Sequence, residues 1–423
     1  MLPTKCLAAL KSRIEFTPTG ETVGNLTIGR GRLGSARGDS SPVFVGIIEN
    51  KIASGSLGVK ECDKLTSLFK VAEAQKSGLI LYIDSAGARV SEGLPALGAF
   101  RHMYRAAVSA VSAGAPVMAV CGANCFGGAS MLAALAGTRV YSANTRFAMS
   151  GPSILAQAAG ASALNEAFAA MSMAAISGQA RSNLGDCELM AADTGSMDSS
   201  HFVRNAVVER HALLGARLGK LASAGKATLG EKIERKDFAK LYPQGYEIEQ
   251  CGGILSGRGE CAGETIAIAG FIGGKLLGAE RAWLQADTLW RMAAAGADDA
   301  SRTARTAPAK LHFLVDCDSH ATALEDERIM LSAYLADLAC ALHALSQAGT
   351  YVETTVLGKL GGGVYVALAA PVAQVNMIYQ TEIQLLPGRA IASILGATAL
   401  QQHDFNEYKT ARVADQELKL GIV

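Results

Sequence analysis

The sequence predicts an α/β protein built from two copies of one unit, and three observations lead to this prediction. Short apolar runs alternate with amphipathic helical segments, as in parallel sheets whose strands are buried on both faces. Landmarks of the first half recur in the second half in the same order. With 423 residues, the chain also exceeds the roughly 250 to 300 at which one hydrophobic core stops growing.

The composition argues against several classes of function. The formal net charge is +1 and the basic residues are scattered along the sequence. The sequence therefore lacks the cluster of basic residues that binds nucleic acid or an anionic membrane surface. No apolar run is long enough to span a bilayer, and the first residues lack the apolar stretch of a signal peptide. We therefore expect a cytoplasmic protein with neither nucleic-acid nor membrane partners.

The nine cysteines are odd in number and irregular in spacing, which predicts buried free thiols of a reducing compartment rather than a disulfide framework. Cys121 and Cys125 lie four residues apart, without a second pair or a nearby histidine. This spacing disfavours a zinc site. We expect no metal.

The internal repeat is carried by two kinds of segment. Their sequences are "SPVFVGIIENKIASGSLG" (41–58) with "ETIAIAGFIGGKLLG" (264–278), and "LILYIDSAGARVSEG" (79–93) with "LHFLVDCDSHATALED" (311–326). In the second pair each apolar run is followed by an aspartate, Asp84 or Asp316. Gly127 follows Asp84 by 43 residues and Gly362 follows Asp316 by 46, so the copies stay nearly in register. Two further segments, "RFAMSGPSILA" and "EIQLLPGRAIA", match through Pro152 and Pro387.

Each copy also carries an amphipathic helix between these landmarks. Apolar residues recur at three- and four-residue spacing: Leu94, Leu97, Phe100, Tyr104, Val108 and Val111 in the first copy, and Leu331, Leu335, Leu338, Leu342 and Leu345 in the second. Gly114 and Gly349 provide the C-terminal signals, and a strand follows each. The order of elements predicts right-handed βαβ units in two domains, residues 1–245 and 246–423.

Four loops should collect at the carboxyl ends of these strands, where such sheets bind ligands. Their sequences are "DSAGARVSEG", "GANCFGGAS", "DCDSHATALED" and "GKLGGGVY". Gly127 and Gly128 directly precede a helical segment. Because glycine loses the most backbone freedom on folding, the pair suggests that a ligand approaches the main chain closely. Close packing of the helix against a strand is the alternative.

Two of these segments support a resemblance to a known family. "SAGARVSEG" at 85–93, followed about forty residues later by "FGGAS" at 126–130, resembles the carboxyltransferase branch of the crotonase superfamily, and the order of elements fits its ββα superhelix. The likeness is greatest to biotin-independent malonate decarboxylase. Residues from about 25 to 210 resemble its β subunit, and residues from about 250 to 400 resemble its γ subunit through "LHFLVDCDSH" and "EDERIMLSAYLADLACAL".

The resemblance implies two crotonase-like domains, with the β and γ subunits fused in one chain, that decarboxylate a malonyl or substituted malonyl thioester. Loss of CO2 leaves an enolate, whose thioester oxygen needs preorganised donors. By resemblance, main-chain N–H groups of two loops form this oxyanion hole: Ala86, Gly87 and Ala88 in the first, and Gly127, Gly128 and Ala129 in the second. Gly361, Gly362 and Gly363 correspond in the second half, where the glycine loop departs from the usual γ pattern. They would bind the departing carboxylate or the carbonyl of a carboxyl acceptor.

Side chains near these loops are further candidates. Arg89 and Glu92 either bind substrate or form an ion pair at the head of a helix. A proton must reach the enolate carbon, and Glu92, His320, Tyr365 or a water could supply it. Asp84 and Asp316 are expected to bind loop amides rather than to act as acids or bases.

The resemblance also implies partners. The thioester would be carried on a phosphopantetheine-type arm, of acyl carrier protein or of coenzyme A, without a bound cofactor. An acyl-transferring subunit and a homo-oligomer are further expectations. A basic amphipathic stretch within residues 201–232 could contact an acidic carrier protein, although such faces are usually only solvated.

Two other functions remain open from the sequence. A biotin-dependent acyl-CoA carboxyltransferase subunit of the same fold would need a biotinylated carrier, and this chain lacks the Met-Lys-Met of a biotin attachment site. A catalytically idle scaffold would bind partners without turnover.

Overall fold

The computed structural model describes residues 3–34, 40–160, 165–186, 188–189, 207–221, 230–297, 307–378 and 381–385. The chain divides into two compact units. The first comprises Met1–Ala206 and Thr322–Ala336, and the second comprises Val207–Ala321 and Asp337–Val423. The described residues form two eight-stranded sheets, which confirms the predicted α/β class with two sheets.

The first sheet begins antiparallel and continues parallel. Its strands are β1 (Thr17–Pro18), β2 (Leu26–Gly34), β3 (Ser40–Ile48), β4 (Gly78–Ser85), β5 (Val117–Phe126), β6 (Thr138–Tyr141), β7 (Arg146–Ala148) and β8 (Glu188–Leu189). β1, β2 and β3 pair antiparallel, whereas β3, β4, β5, β6 and β8 pair parallel, with β7 beside β5. The parallel strand β4 is buried along nearly its whole length, as its continuous apolar run requires.

The second sheet repeats this plan. Its strands are β9 (Glu231–Lys232), β10 (Gly245–Cys251), β11 (Ile254–Cys261), β12 (Glu264–Phe271), β13 (Lys310–Cys317), β14 (Tyr351–Gly361), β15 (Gln374–Met377) and β16 (Glu382–Gln384). The first four pair antiparallel, and β12 to β15 pair parallel, with β16 beside β14. Both sheets therefore pass from antiparallel to parallel at their third or fourth strand in chain order.

The helices complete the described structure. They are α1 (Pro3–Arg13), α2 (Val59–Gln75), α3 (Gly93–Ser112), α4 (Gly128–Ala134), α5 (Pro152–Ala158), α6 (Glu166–Ile176), α7 (Gly178–Asn183), α8 (Val207–Leu221), α9 (Lys236–Leu241), α10 (Ala279–Ala297), α11 (Leu324–Arg328), α12 (Leu331–Gln347) and α13 (Gly362–Ala369). The two predicted amphipathic helices are α3 and α12, and all their predicted apolar residues are buried. Gly114 and Gly349 follow them with φ of +86° and +95°, where glycine is favoured.

The repeat is also visible in the strand irregularities. The pairing of β4 with β5 shifts register between Ile83 and Ser85, and that of β13 with β14 shifts between Val315 and Cys317. Asp84 and Asp316 stand at these bulges, each as the penultimate residue of its strand. The two aspartates therefore occupy equivalent positions in the two topologies.

The compact units do not coincide with the predicted division at residue 245. Helix α8 belongs to the second unit, and residues 322–336 belong to the first. Within the second unit, Nδ1 of His211 in α8 lies 2.7 Å from Oδ2 of Asp337, and its ring stacks on Trp283. The repeat locates the two copies, but it does not say which core a connecting helix joins.

The cysteine prediction holds for most of the described thiols. Six are buried and free: Cys6, Cys62, Cys121, Cys125, Cys317 and Cys340. Cys251 is exposed and Cys261 is partly exposed, because both lie at strand ends of the antiparallel hairpin.

Among the described residues no group of three or more His, Cys, Asp or Glu side chains could hold a metal ion. No described helix is long and apolar enough to cross a membrane. Cys187 and Pro387 lie outside the described residues.

Candidate active site

The loop after β4 and the glycine turn after β5 meet in the first unit. Gly87 has φ of +92°, and a Cβ on it would lie 2.9 Å from the main-chain N of Gly128 and 3.6 Å from that of Ala129. Gly127, which joins β5 to α4, also has a positive φ of +56°. Only glycine combines these backbone angles with so close an approach. The two predicted loops are therefore in direct contact.

The six predicted hole residues divide into two groups. In the first group the N–H groups have partners: Gly127 donates to Ala148 O at 3.1 Å, Ala86 donates to Ser54 O at 3.0 Å, and Gly87 donates to Ser85 Oγ at 3.1 Å. In the second group, the N–H groups of Ala88, Gly128 and Ala129 donate to no residue that the structure describes. Two loops thus bring together three main-chain donors, which can bind an oxygen that carries negative charge.

The missing side chain of Gly128 serves packing. A Cβ on this residue would lie 2.5 Å from Cζ of Phe100, a buried residue of α3. Packing therefore constrains the side-chain face of Gly128, although the neighbour is a helix and not the strand that the sequence-based alternative named. The N–H group of Gly128 takes no part in the contact with Phe100, because it lies beside Gly87.

Asp84 holds the start of the glycine loop. Its Oδ2 accepts from the N–H of Ala123 at 3.2 Å, and its Oδ1 accepts from that of Asn124 at 3.1 Å. Burial raises the pKa of Asp84, and the two amides oppose this rise. In the second unit, Asp316 Oδ1 accepts from the N–H of Lys359 at 3.2 Å. The expected role of both aspartates in binding loop amides is confirmed.

Arg89 and Glu92 take part in a network at the start of α2. Arg89 Nη1 donates to Glu92 Oε1 at 2.7 Å, and Nη2 donates to Ser56 O at 2.8 Å and to Glu61. The ion pair considered from the sequence is present, with the side chain of Arg89 14% exposed and that of Glu92 34% exposed, and it extends to Glu61, whose side chain is 2% exposed. The network ties the loop after β4 to α2.

The second unit repeats the topology with different side chains. His320 forms a bridge with Leu277, as Ala88 does with Leu57, so His320 takes the position of Ala88. Gly362 has φ of +54°, nearly that of Gly127. The loop and the glycine turn thus recur, but with an imidazole in place of a methyl group.

Polar side chains occupy the space beside Gly362. A Cβ on this glycine would lie 3.1 Å from Ser319 Oγ and 3.7 Å from His320 Nδ1. Burial lowers the pKa of His320 to about 4, so the imidazole is neutral at physiological pH. Gly361 closely approaches the main chain of the same loop, and Tyr365 in α13 is buried. With Gly363, these are the predicted residues of the second half.

Two buried acids were missed by the sequence analysis. Glu61 is the third residue of α2, and its carboxylate accepts from the N–H of Gly58 at 3.2 Å. Its position three residues after Gly58 was the only feature of the sequence that could have indicated this contact. Glu327 lies within "EDER", which resembles a solvated acidic stretch, yet it is fully buried. Its hydrogen-bond partners Arg181 and Ser150 lie 146 and 177 residues earlier in the chain, so no local pattern indicates its burial.

Comparison with family models finds a match to the carboxyl transferase domain over residues 33–191. Comparison with characterised protein sequences finds none. Several solved structures are similar to this chain. A transcarboxylase 12S structure is 16% identical with a TM-score of 0.36, covering 99% of this chain and 85% of the other. A Pseudomonas malonate decarboxylase hetero-tetramer in complex with malonate is 24% identical with a TM-score of 0.41, covering 48% and 76%.

A third structure, the β subunit of geranyl-CoA carboxylase from P. aeruginosa, is 12% identical with a TM-score of 0.34, covering 100% of this chain and 87% of the other. The family match spans β3 to β8, and so includes both loops whose amides meet at Gly87. Residues 33–191 of this chain are therefore similar to the carboxyl transferase domain.

Proposed function

We propose that the chain decarboxylates a malonyl or substituted malonyl thioester, carried on acyl carrier protein or coenzyme A, without biotin. The observation that carries this proposal is the meeting of the N–H groups of Ala88, Gly128 and Ala129 beside Gly87. These donors belong to the matched carboxyl transferase domain. In the proposal they bind the thioester oxygen.

The reaction needs little more than these donors. The bond between the α-carbon and the carboxylate carbon breaks, and its electron pair moves to the α-carbon and the thioester carbonyl, giving CO2 and an enolate. Negative charge then develops on the thioester oxygen, so the hydrogen bonds from the N–H groups strengthen in the transition state. Because main-chain donors are already oriented, they do not reorganise during the reaction.

A proton on the α-carbon completes the reaction. Glu92 is a poor source, because Oε1 accepts from Arg89 and Oε2 accepts from the N–H of Val59 at 2.8 Å. We therefore assign protonation to water. In this scheme Arg89 and Glu92 position the loop that carries Ala88.

The second candidate, a biotin-dependent carboxyltransferase, would use the turn at Gly362 and Gly363 for the carbonyl of the carboxyl acceptor. Ser319 and His320 place a hydroxyl and a neutral imidazole beside that turn, whereas the first unit presents bare amides. The two turns therefore present different donors, and the proposal assigns the thioester oxygen to the main-chain amides of the first unit.

The test is mass spectrometry of malonyl and methylmalonyl thioesters, on coenzyme A and on acyl carrier protein, incubated with the pure protein. A decarboxylase releases CO2 and leaves acetyl or propionyl thioester with biotin absent. A carboxyltransferase consumes the substrate only when a biotin acceptor is added. An idle scaffold leaves every thioester intact, and this outcome with folded protein would refute the proposal.

A further inference from the structure

A buried acid and a buried base lie together in the first unit, outside the candidate hole. Glu327 in α11 and Arg181 in α7 are both fully buried. Arg181 Nη1 donates to the main-chain O of Glu327 at 2.6 Å, and Nη2 donates to Phe147 O at 2.7 Å. The guanidinium thus joins the main chain of α11 to β7, and Nη2 stands 4.0 Å from Oε2 of the carboxylate.

The carboxylate of Glu327 accepts from the main chain just after β7. Oε1 accepts from the N–H of Ser150 at 2.8 Å, and Oε2 accepts from that of Met149 at 3.2 Å. Ala148, the last residue of β7, accepts from the N–H of Gly127 at 3.1 Å. Three consecutive residues therefore connect Glu327 to the glycine turn.

We propose that Glu327 is a positioning residue for the glycine turn at Gly127, which it holds through the three residues that end and follow β7. The inference rests on the proposed function, because the turn brings the N–H of Gly128 to Gly87. Glu327 is distant in sequence from the turn and acts through main-chain hydrogen bonds, without touching the thioester.

A second contact ties the same segment to the helix after the turn. Ser332 Oγ, five residues beyond Glu327, lies 2.7 Å from Ser130 Oγ in α4. Ser130 Oγ in turn donates to Gly127 O at 2.7 Å. The segment 322–336 therefore supports both sides of the turn, which explains its inclusion in the first unit.

The carboxylate can lose this function by protonation. Burial raises the pKa of Glu327 to about 7, opposed by Arg181 and the two amides and assisted by Asp326 of its own helix. The adjacent helix α6 has a single ionisable side chain, the exposed Glu166. A protonated carboxyl has one good acceptor oxygen instead of two. The turn should therefore loosen as the pH falls through about 7.

The test observes Gly127 directly. Phe126–Gly127 is the only Phe-Gly pair in the sequence, so protein with ¹³C-carbonyl phenylalanine and ¹⁵N-glycine gives one selectively edited NMR signal, from the N–H of Gly127. We expect this signal to shift with pH around 7. In the double variant Glu327→Gln with Arg181→Met, which leaves no uncompensated buried charge, the shift should be absent.

The kinetic arm measures malonyl-thioester decarboxylation. Displacement of the turn should lower kcat of the double variant by up to about a hundredfold with KM nearly unchanged, and should remove the low-pH decline in kcat. If the double variant does not fold, Glu327→Asp replaces it, and the midpoint of the Gly127 titration must move. A wild-type Gly127 signal that ignores pH overturns the inference, as does an unchanged midpoint in Glu327→Asp.

The two proposals fail in different ways. A Gly127 signal that titrates in the wild type and not in the double variant supports the positioning role, even when the thioesters remain intact. Intact thioesters refute the decarboxylase. Decarboxylation with wild-type kcat and pH profile in a folded double variant refutes the positioning role alone.

Discussion

The substitution Gly87→Ala tests the proposed hole most directly. The added methyl carbon would stand 2.9 Å from the N of Gly128, 3.1 Å from Phe126 O and 3.6 Å from the N of Ala129. The first distance is shorter than a carbon can approach an amide nitrogen, so the loop or the start of α4 must move. Either movement separates the donors. Loss of one hole donor commonly costs about 2.7 to 4 kcal/mol, or about a hundred- to a thousandfold in kcat.

The substitution also strains the backbone, since Gly87 has φ of +92°. A non-glycine residue in a left-handed conformation costs about 1 to 2 kcal/mol. Gly114→Ala is the matched control, because Gly114 has φ of +86° and its Cβ would meet no atom within 4 Å. Gly114→Ala should lose about the stability that backbone strain alone costs in urea unfolding, and Gly87→Ala should lose at least as much, because its added carbon also displaces the main chain.

Only Gly87→Ala should lose decarboxylation, measured by mass spectrometry of malonyl-CoA. Two results contradict the reasoning. A folded Gly87→Ala protein with the wild-type rate would mean that the amides beside Gly87 take no part. An equal loss of rate in Gly114→Ala would mean that backbone strain, not the loss of a donor, lowers the activity.

Three further predictions follow from the described contacts. Asp84→Asn should destabilise the protein by about 1 to 3 kcal/mol in urea unfolding, because one of two partly buried amides at the end of β5 loses its acceptor; unchanged stability contradicts this. For His211, burial opposes the charged form, but hydrogen bonds to Asp337 and Asp287 outweigh it and raise the pKa. The contribution of His211 to the free energy of unfolding is therefore complete below about pH 6.5, the ordinary pKa of histidine. It is lost as the pH rises through the higher pKa that His211 has in the folded protein. The loss of stability that His211 causes as the pH rises above about 6.5 should disappear in His211→Gln, and a variant with the wild-type profile contradicts this prediction. Exhaustive chelation should leave the thermal midpoint and the decarboxylation rate unchanged, and a fall in either contradicts the expectation that no metal is needed.

The sequence alone predicted the elements that depend on local pattern. Leucine and aromatic residues at three- and four-residue spacing identified α3 and α12, because a helix repeats its buried face at that period. The aspartates at the ends of two apolar runs identified the equivalent strands β4 and β13. Both loops of the candidate site were also located, since their glycines stand where a strand ends and the backbone must turn.

The tertiary structure decided which groups of those loops are available for chemistry. Gly127 and Gly128 are adjacent glycines, yet their N–H groups differ. The N–H of Gly127 donates to the main-chain O of Ala148, whereas that of Gly128 lies beside Gly87. The difference arises because β7 lies beside β5, a pairing that no local period specifies. The burial of Glu327 against β7 has the same origin, because it depends on contacts about 178 residues apart along the chain. Periodicity in a sequence determines which face of an element is buried, whereas the partner of each polar group depends on how distant elements pack, and that packing is set by the whole fold.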